Sequence, residues 1–169
     1  MGLFSFIKDA GAKLFGGKTS AEEAAEKAAE AAAEHAEAVA AEKAKAEASI
    51  VETIGDLELH VEDLSVSLEG DTAIITGKAH DQATKEKVVL VVGNTQGIAM
   101  VDDRMEVEHK EPEAQFHTVA KGDTLGKIAK HYYGNAMKYP VIFEANKPML
   151  KDPNLIYPGQ VLRIPSLDK

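Results

Sequence analysis

The chain contains no cysteine among its 169 residues. This absence excludes disulfide bridges, a thiol nucleophile and zinc sites built on thiolates. The chain also lacks any apolar run approaching the roughly 20 residues that a helix needs to cross a bilayer. Its 19 basic residues do not balance 28 acidic ones, and no basic stripe is interleaved with aromatic residues. The resulting net charge of -9 argues against a nucleic-acid partner.

The opening segment, MGLFSFIKDAGAKLFGGK, has none of the marks of a signal peptide. It lacks a basic start, a continuous apolar stretch and a small-residue cleavage site, so we expect a cytoplasmic protein. Apolar side chains recur there at helical spacing and predict an amphipathic helix over residues 1–18. Such a helix either covers the core of its own protein, which is the commoner case, or rests on a membrane surface.

An alanine-rich tract over residues 19–49 consists almost wholly of Ala, Glu and Lys. Its helix propensity is high, but it has no large apolar side chains to bury. The tract therefore predicts a solvated acidic helix or a fraying spacer, and a coiled coil is less favoured because an alanine seam buries little apolar area. Large apolar residues resume at Ile50 and Ile54, as expected if the final turns of this helix dock onto the next domain.

A second pattern follows, in which short alternating runs are separated by glycine turns. Apolar residues alternate on both sides of a hairpin turn at Gly70, which predicts two strands. Asp81 is placed to cap a following helix, although the β-branched run at residues 88–92 alone would favour a strand. A turn at Gly97 then leads into a predicted third strand, Ile98 to Glu106.

This order of helix, two strands, helix and strand resembles the BON family. The family marks are a glycine turn, a Thr-Gly pair at a strand end and a G-I-x-x-V-D-D step, which appear here as Gly70, Thr76-Gly77 and Gly97 to Asp103. The resemblance covers residues 50–107 and implies a small binding module without catalytic activity. The polar stretch at residues 108–114 predicts a linker.

The last third of the chain, residues 115–166, predicts another small domain of strand, helix, helix and strand. Phe116 to Val119 alternate, and Asp123 is placed as the N-cap of a helix that begins at Thr124. A second helix ends before Pro148. A turn then leads into a closing strand, Gln160 to Ile164. The predicted fold class of the whole chain is therefore α+β.

This domain is identified as a member of the LysM family, because it has a GDTL turn, an AN pair late in the second helix and a PGQ-x-L-x-IP close. LysM domains hold N-acetylglucosamine glycans in a shallow groove between two loops. The resemblance implies a glycan or protein partner at this groove. Alternatively, the residues at this groove serve only as cap, turn and core, as Asp123 and Leu125 would in any member of the family. The implied groove residues are Gly122, Asp123, Thr124, Leu125, Leu155 and Ile156.

One BON domain followed by one LysM domain, after a start of MGLF, KDAG and KLF, resembles the family of bacterial cytoplasmic potassium-binding proteins. This resemblance implies selective, reversible binding of K⁺ by a sensor that compacts around the ion. K⁺ is weakly hydrated, so neutral carbonyl oxygens can replace its water, whereas clustered carboxylates favour Ca²⁺ or Mg²⁺. The implied ligands lie in two short segments, and the sequence of each is equally typical of an ordinary turn that contains glycine. The implied ligands are the backbone carbonyls of Ile7, Ala10, Ala12, Gly93, Thr95 and Ile98.

Two other functions compete with potassium binding. The first is an envelope protein that binds peptidoglycan through the LysM groove. The second is an enzyme, which the sequence does not favour, because the six histidines are scattered without a metal-ligand spacing such as H-x-x-x-H. No Ser/His/Asp arrangement suggests itself either. We therefore expect a monomeric binding protein that is not an enzyme.

Overall fold

The structure, a computed structural model, describes residues 20–167, with side chains from Ala24 onward. It has the α+β class that the sequence predicts, with helices and strands mixed along the chain. The described residues divide into two units, with the boundary between Ala44 and Lys45. The amphipathic helix predicted over residues 1–18 lies outside the described residues.

The alanine-rich tract belongs to one continuous helix, α1 (Ser20–Asp56). At about 1.5 Å per residue its 37 residues span roughly 55 Å. Nearly all its side chains from Ala24 to Ala44 are exposed, as the composition predicts for a solvated acidic helix. Burial begins only with the large apolar residues, and Ile50 and Ile54 are 6% and 0% exposed.

A four-stranded sheet follows α1. Strands β1 (Val61–Glu69) and β2 (Thr72–Asp81) form the predicted antiparallel hairpin around Gly70, whose φ is 64°. Helix α2 (Gln82–Gly93) crosses over to two short strands, β3 (Met100–Asp103) and β4 (Glu106–His109), and both pair with β2 in parallel. The order of elements is αββαβ, with the last strand in two pieces.

The predicted strand Ile98 to Glu106 was wrong in its bounds, because β3 begins only at Met100 and the pairing with β2 is interrupted at Arg104 and Met105. The carboxylate of Asp103 accepts the backbone N–H of Met105 at 3.0 Å, and the Met105 side chain turns into the core, where it is 4% exposed. Pairing then resumes in β4 and continues to His109, inside the segment predicted as a linker.

A bulge in β1 explains the Thr-Gly mark of the sequence. The register between β1 and β2 shifts between Glu62 and Ser65, opposite Gly77, whose φ is 141°. A Cβ atom on Gly77 would lie 2.7 Å from Val61 Cγ1 and 2.9 Å from the Glu62 carbonyl oxygen. Only glycine fits this close approach of the two strands.

Helix α2 confirms the helical interpretation of the β-branched run. The Asp81 carboxylate accepts the N–H of Thr84 at 2.7 Å and caps the helix. Burial on the sheet outweighs the intrinsic preference of these residues for strands. The core of this first domain consists of Ile50, Ile54, Leu59, Val66, Ala73, Ile75, Val88, Val91, Val92 and Met105.

The C-terminal domain has the predicted order of strand, helix, helix and strand. Its elements are β5 (Gln115–Thr118), α3 (Leu125–Tyr133), a 3-10 turn (Ala136–Lys138), α4 (Tyr139–Ala145) and β6 (Val161–Ile164). Strands β5 and β6 pair antiparallel. The core between them and the helices consists of Val119, Leu125, Ile128, Ala129, Ile142, Leu150, Leu162 and Ile164.

The predicted N-cap of α3 was wrong by one residue. Thr124 caps the helix, since its hydroxyl oxygen accepts the N–H of Lys127 at 3.2 Å. The Asp123 carboxylate instead contacts residues that precede it in the chain. It accepts the N–H of Ala120 at 2.9 Å and lies 3.0 Å from His117 Nε2. Among the helices of residues 20–167, none is both long enough and apolar enough to span a membrane.

Candidate functional site

The C-terminal end of α2 presents backbone carbonyls to the loop that joins it to β3. Within the described residues, the carbonyl of Gly93, the last residue of α2, accepts no hydrogen bond. The last turn of α2 contains no basic residue, so none of its own side chains neutralises the negative end of the helix dipole. The three preceding carbonyls, of Leu90, Val91 and Val92, each accept a hydrogen bond from the loop, at 2.9, 2.9 and 3.0 Å.

The loop holds three of the six predicted potassium ligands within six residues. The Thr95 carbonyl accepts the N–H of Ile98 at 3.2 Å, and Gly97 reverses the chain with a φ of 91°. Within residues 20–167, the Ile98 carbonyl accepts no hydrogen bond. The other three predicted ligands, Ile7, Ala10 and Ala12, lie outside the described residues.

The side chain of Asn94 joins this loop to the C-terminal domain. Its Oδ1 accepts the N–H of Val161 at 2.8 Å, and its Nδ2 donates to the Val161 carbonyl at 3.0 Å. Two residues further along β6, the buried Asn146 makes the same pair of bonds with Arg163, at 2.7 and 2.8 Å. Because β5 occupies only one edge of β6, these two amides act at the other edge in place of a third strand.

A buried ion pair lies between α2 and β6. Glu86 and Arg163 are 4% and 8% exposed, and Glu86 Oε2 pairs with Arg163 Nε. The other carboxylate oxygen of Glu86 accepts hydrogen bonds from Gln82 Nε2 and from the N–H of Ala114, both at 2.9 Å. The Glu86 side chain therefore connects α2 with β6 and with Ala114, the residue just before β5. The two partners are 77 residues apart, and no sequence signal identified them.

A depression of ≈ 440 Å³ lies on the C-terminal domain, at the place predicted for the LysM groove. Four of the six predicted groove residues line it, namely Asp123, Thr124, Leu125 and Ile156. Gly122 and Leu155 are not among its lining residues, and the Leu155 side chain is 69% exposed. The lining residues that sequence reasoning missed are Gly126, Tyr139, Pro153 and Asn154.

At the edge of the groove, Asp123 belongs to a small polar network. The N–H of Ala120 and the ring of His117 hold the pKa of the Asp123 carboxyl below its usual value, because both favour its ionised form. The other ring nitrogen of His117 lies 3.2 Å from the Tyr132 hydroxyl. The network thereby ties the loop before α3 to β5 and α3.

Comparison with known proteins identifies the family. The family model of the LysM domain matches residues 117–165. The potassium binding protein Kbp of Escherichia coli O6:H1 is 42% identical over 166 residues, which cover 98% of this chain and 99% of that protein. The chain belongs to the Kbp family. This finding confirms the resemblance to potassium-binding proteins and the presence of a LysM domain.

Two further relatives are less informative about function. An uncharacterized protein of Deinococcus radiodurans is 33% identical over 133 residues, which cover 72% of this chain and 51% of that protein. An esterase of Mycobacterium tuberculosis is 43% identical over 53 residues, only 31% of this chain and 11% of the esterase. The esterase match is too short a part of that protein to carry its activity over.

Proposed function

We propose that this chain binds K⁺ selectively and reversibly through backbone carbonyls, as a cytoplasmic sensor. The observation that carries the proposal is the carbonyl of Gly93 at the negative end of α2, which accepts no hydrogen bond within residues 20–167, in a chain of the Kbp family. A cation at this point would gain from the helix dipole, since the last turn of α2 contributes no basic side chain.

The ligand chemistry favours K⁺ over smaller or more highly charged ions. Neutral carbonyl oxygens replace the water of a weakly hydrated ion, whereas clustered carboxylates favour Ca²⁺ or Mg²⁺. The proposed ligands on the loop are the carbonyls of Gly93, Thr95 and Ile98. Those of Ile7, Ala10 and Ala12 complete the set, so that K⁺ ties the N-terminal segment to the BON domain and compacts the protein.

A titration with K⁺ against Na⁺ tests this function, with choline chloride holding the ionic strength constant. Calorimetry should show one K⁺ site per chain and no comparable heat with Na⁺, and small-angle scattering should show a smaller radius with K⁺. Removal of residues 1–12 should abolish high-affinity binding. Equal responses to K⁺ and Na⁺, or no response to either, would contradict the proposal.

A matched pair of glycine variants tests the position of the site. Gly97 and Gly122 have φ angles of 91° and 88°, and an added Cβ meets nothing within 4 Å at either position. Gly97→Ala and Gly122→Ala therefore impose similar backbone strain, of about 1–3 kcal/mol, in two different loops. We expect Gly97→Ala to weaken K⁺ binding about tenfold, and Gly122→Ala to leave it unchanged. Equal effects would place the site elsewhere.

The LysM groove supports a second candidate function, binding of an N-acetylglucosamine glycan. Tyr139 and Ile156 offer apolar surface beside the polar groups of Asp123 and Asn154, a mixture typical of small-ligand sites. Sedimentation with purified peptidoglycan and titration with chitin oligosaccharides test it. Tyr139→Ala should reduce glycan binding, while Gly97→Ala should not. Cell fractionation separates an envelope protein from a cytoplasmic one.

A further inference from the structure

Three exposed side chains with metal-binding chemistry meet at the end of the β2–β4 pair. His80 lies on β2, and Glu108 and His109 lie at the end of β4. One ring nitrogen of each histidine and one carboxylate oxygen of Glu108 lie within 4.8 Å of one another. The two rings are 4.7 Å apart, centroid to centroid, and His80 Nδ1 is 3.3 Å from Glu108 Oε2.

We propose that His80, Glu108 and His109 bind a divalent transition-metal ion of the Zn²⁺ type. Two imidazoles and one carboxylate form a donor set that suits Zn²⁺, with a fourth position left for water. This site would be separate from the proposed K⁺ site, whose carbonyl ligands are of a different chemical class. It does not depend on the proposed function.

The backbone prepares one of the two imidazoles for this role. His109 Nδ1 lies 3.2 Å from the carbonyl oxygen of His80. Because a carbonyl oxygen only accepts, this contact requires a hydrogen on Nδ1 and leaves Nε2 of the neutral ring with its lone pair. Metal-binding histidines usually have such a bond on the nitrogen that does not coordinate, since it fixes the tautomer and the ring orientation.

Only a modest rearrangement separates these donors from a coordination shell. Tetrahedral Zn²⁺ with bonds of about 2.1 Å places its ligand atoms roughly 3.4 Å apart. The side chains of His80 and Glu108 are 70% and 49% exposed, so they can rotate toward one ion without repacking a core. The pairing of β2 with β4 already brings the distant histidines close together, because Asp81 pairs with His109 and Ala79 pairs with Val107.

Zinc titration of the full-length chain tests the site, in protein that carries no histidine tag and at constant K⁺ concentration. Competition with a chromophoric chelator should show one ZnCl₂-derived ion per chain. His80→Gln and His109→Gln should each weaken binding at least tenfold, as loss of one of three ligands requires. His35→Gln, an exposed histidine on α1, is the matched control and should change nothing.

Cobalt provides a second measurement that a purely structural role of these residues would not move. Co²⁺ in place of Zn²⁺ should give visible absorption of a four- or five-coordinate ion, and Glu108→Gln or His109→Gln should remove it. Circular dichroism without metal verifies that each variant is folded. The proposal is overturned if the double variant His80→Gln/His109→Gln binds Zn²⁺ as tightly as the parent chain, or if His35→Gln loses as much affinity.

Discussion

The side-chain amide of Asn94 makes both hydrogen bonds that a neighbouring strand would make with the backbone of Val161. Asn94 directly follows Gly93, the last residue of α2, whose carbonyl accepts no hydrogen bond from the described part of the chain. The loop that we propose to bind K⁺ is therefore held by the last strand of the LysM domain. If an ion orders this loop, the two hydrogen bonds of Asn94 would transmit the change to the C-terminal domain.

Asn94→Ala should both destabilise the protein and weaken K⁺ binding. The variant leaves the N–H and carbonyl of Val161 without their partner, which costs about 1–3 kcal/mol of unfolding free energy. Urea denaturation and a K⁺ titration measure the two effects. Gln96→Ala, at an exposed position of the same loop, is the control and should show neither. If the two variants behave alike, Asn94 does not anchor the loop.

Arg163→Met should lower the free energy of unfolding more than most single substitutions where α2 packs against β6. It leaves the buried carboxylate of Glu86 without its counter-ion, which typically costs about 3–5 kcal/mol. Arg104→Met is the control, because Arg104 pairs with Asp102 at the surface, where such pairs contribute under about 1 kcal/mol.

A double variant separates charge from shape at this ion pair. Glu86→Gln keeps an acceptor for Gln82 and for the N–H of Ala114 but removes the charge. We therefore expect Glu86→Gln/Arg163→Met to be more stable than Arg163→Met alone, as measured by urea denaturation. A double variant that is less stable than the single one would show that the buried charge is not the main cost.

Gly77→Ala and Gly55→Ala should change stability in opposite directions. At Gly77 the new methyl group would meet Val61 Cγ1 and the Glu62 carbonyl, and φ is 141°, so we expect a loss of about 2–3 kcal/mol. Gly55 lies in α1 with nothing within 4 Å of an added Cβ, and alanine should add about 0.5–1 kcal/mol there. Thermal unfolding of both variants measures the contrast, and equal shifts would refute the bulge argument.

Asp123→Asn should lose stability at neutral pH and little at strongly acid pH. The pKa of the Asp123 carboxyl is lowered in the folded protein from 3.8, first by the hydrogen bond from Ala120 and then by His117. A lowered folded pKa means that the stabilisation is complete above the unfolded pKa and is lost as pH falls through the folded one. The gap in melting temperature between parent and variant should therefore narrow below about pH 4. A gap independent of pH would assign the effect to shape alone.

Local signals in the sequence were accurate wherever one side chain acts on its near neighbours. Asp81 caps α2 through Thr84, three residues away, and Gly70 makes the predicted turn. The N-cap of α3 was misplaced because Asp123 and Thr124 are both good caps. The choice between them depends on Ala120 and His117, because both form hydrogen bonds with the Asp123 carboxylate and so leave Thr124 to cap the helix. Likewise, alternation did not reveal that Asp103 would remove Met105 from the ladder.

The sequence alone determined the absence of cysteine chemistry, the high helix propensity of the alanine-rich tract and the resemblance to the potassium-binding family. Composition, helix propensity and short motifs are properties of neighbouring residues. Only the tertiary structure decided which distant groups meet. Asn94 and Val161 are 67 residues apart, and Glu86 and Arg163 are 77 apart. His80 and His109 come together across 29 residues only because β4 pairs with β2 in parallel. Such contacts depend on strand register and on the packing of whole domains, which no local spacing encodes.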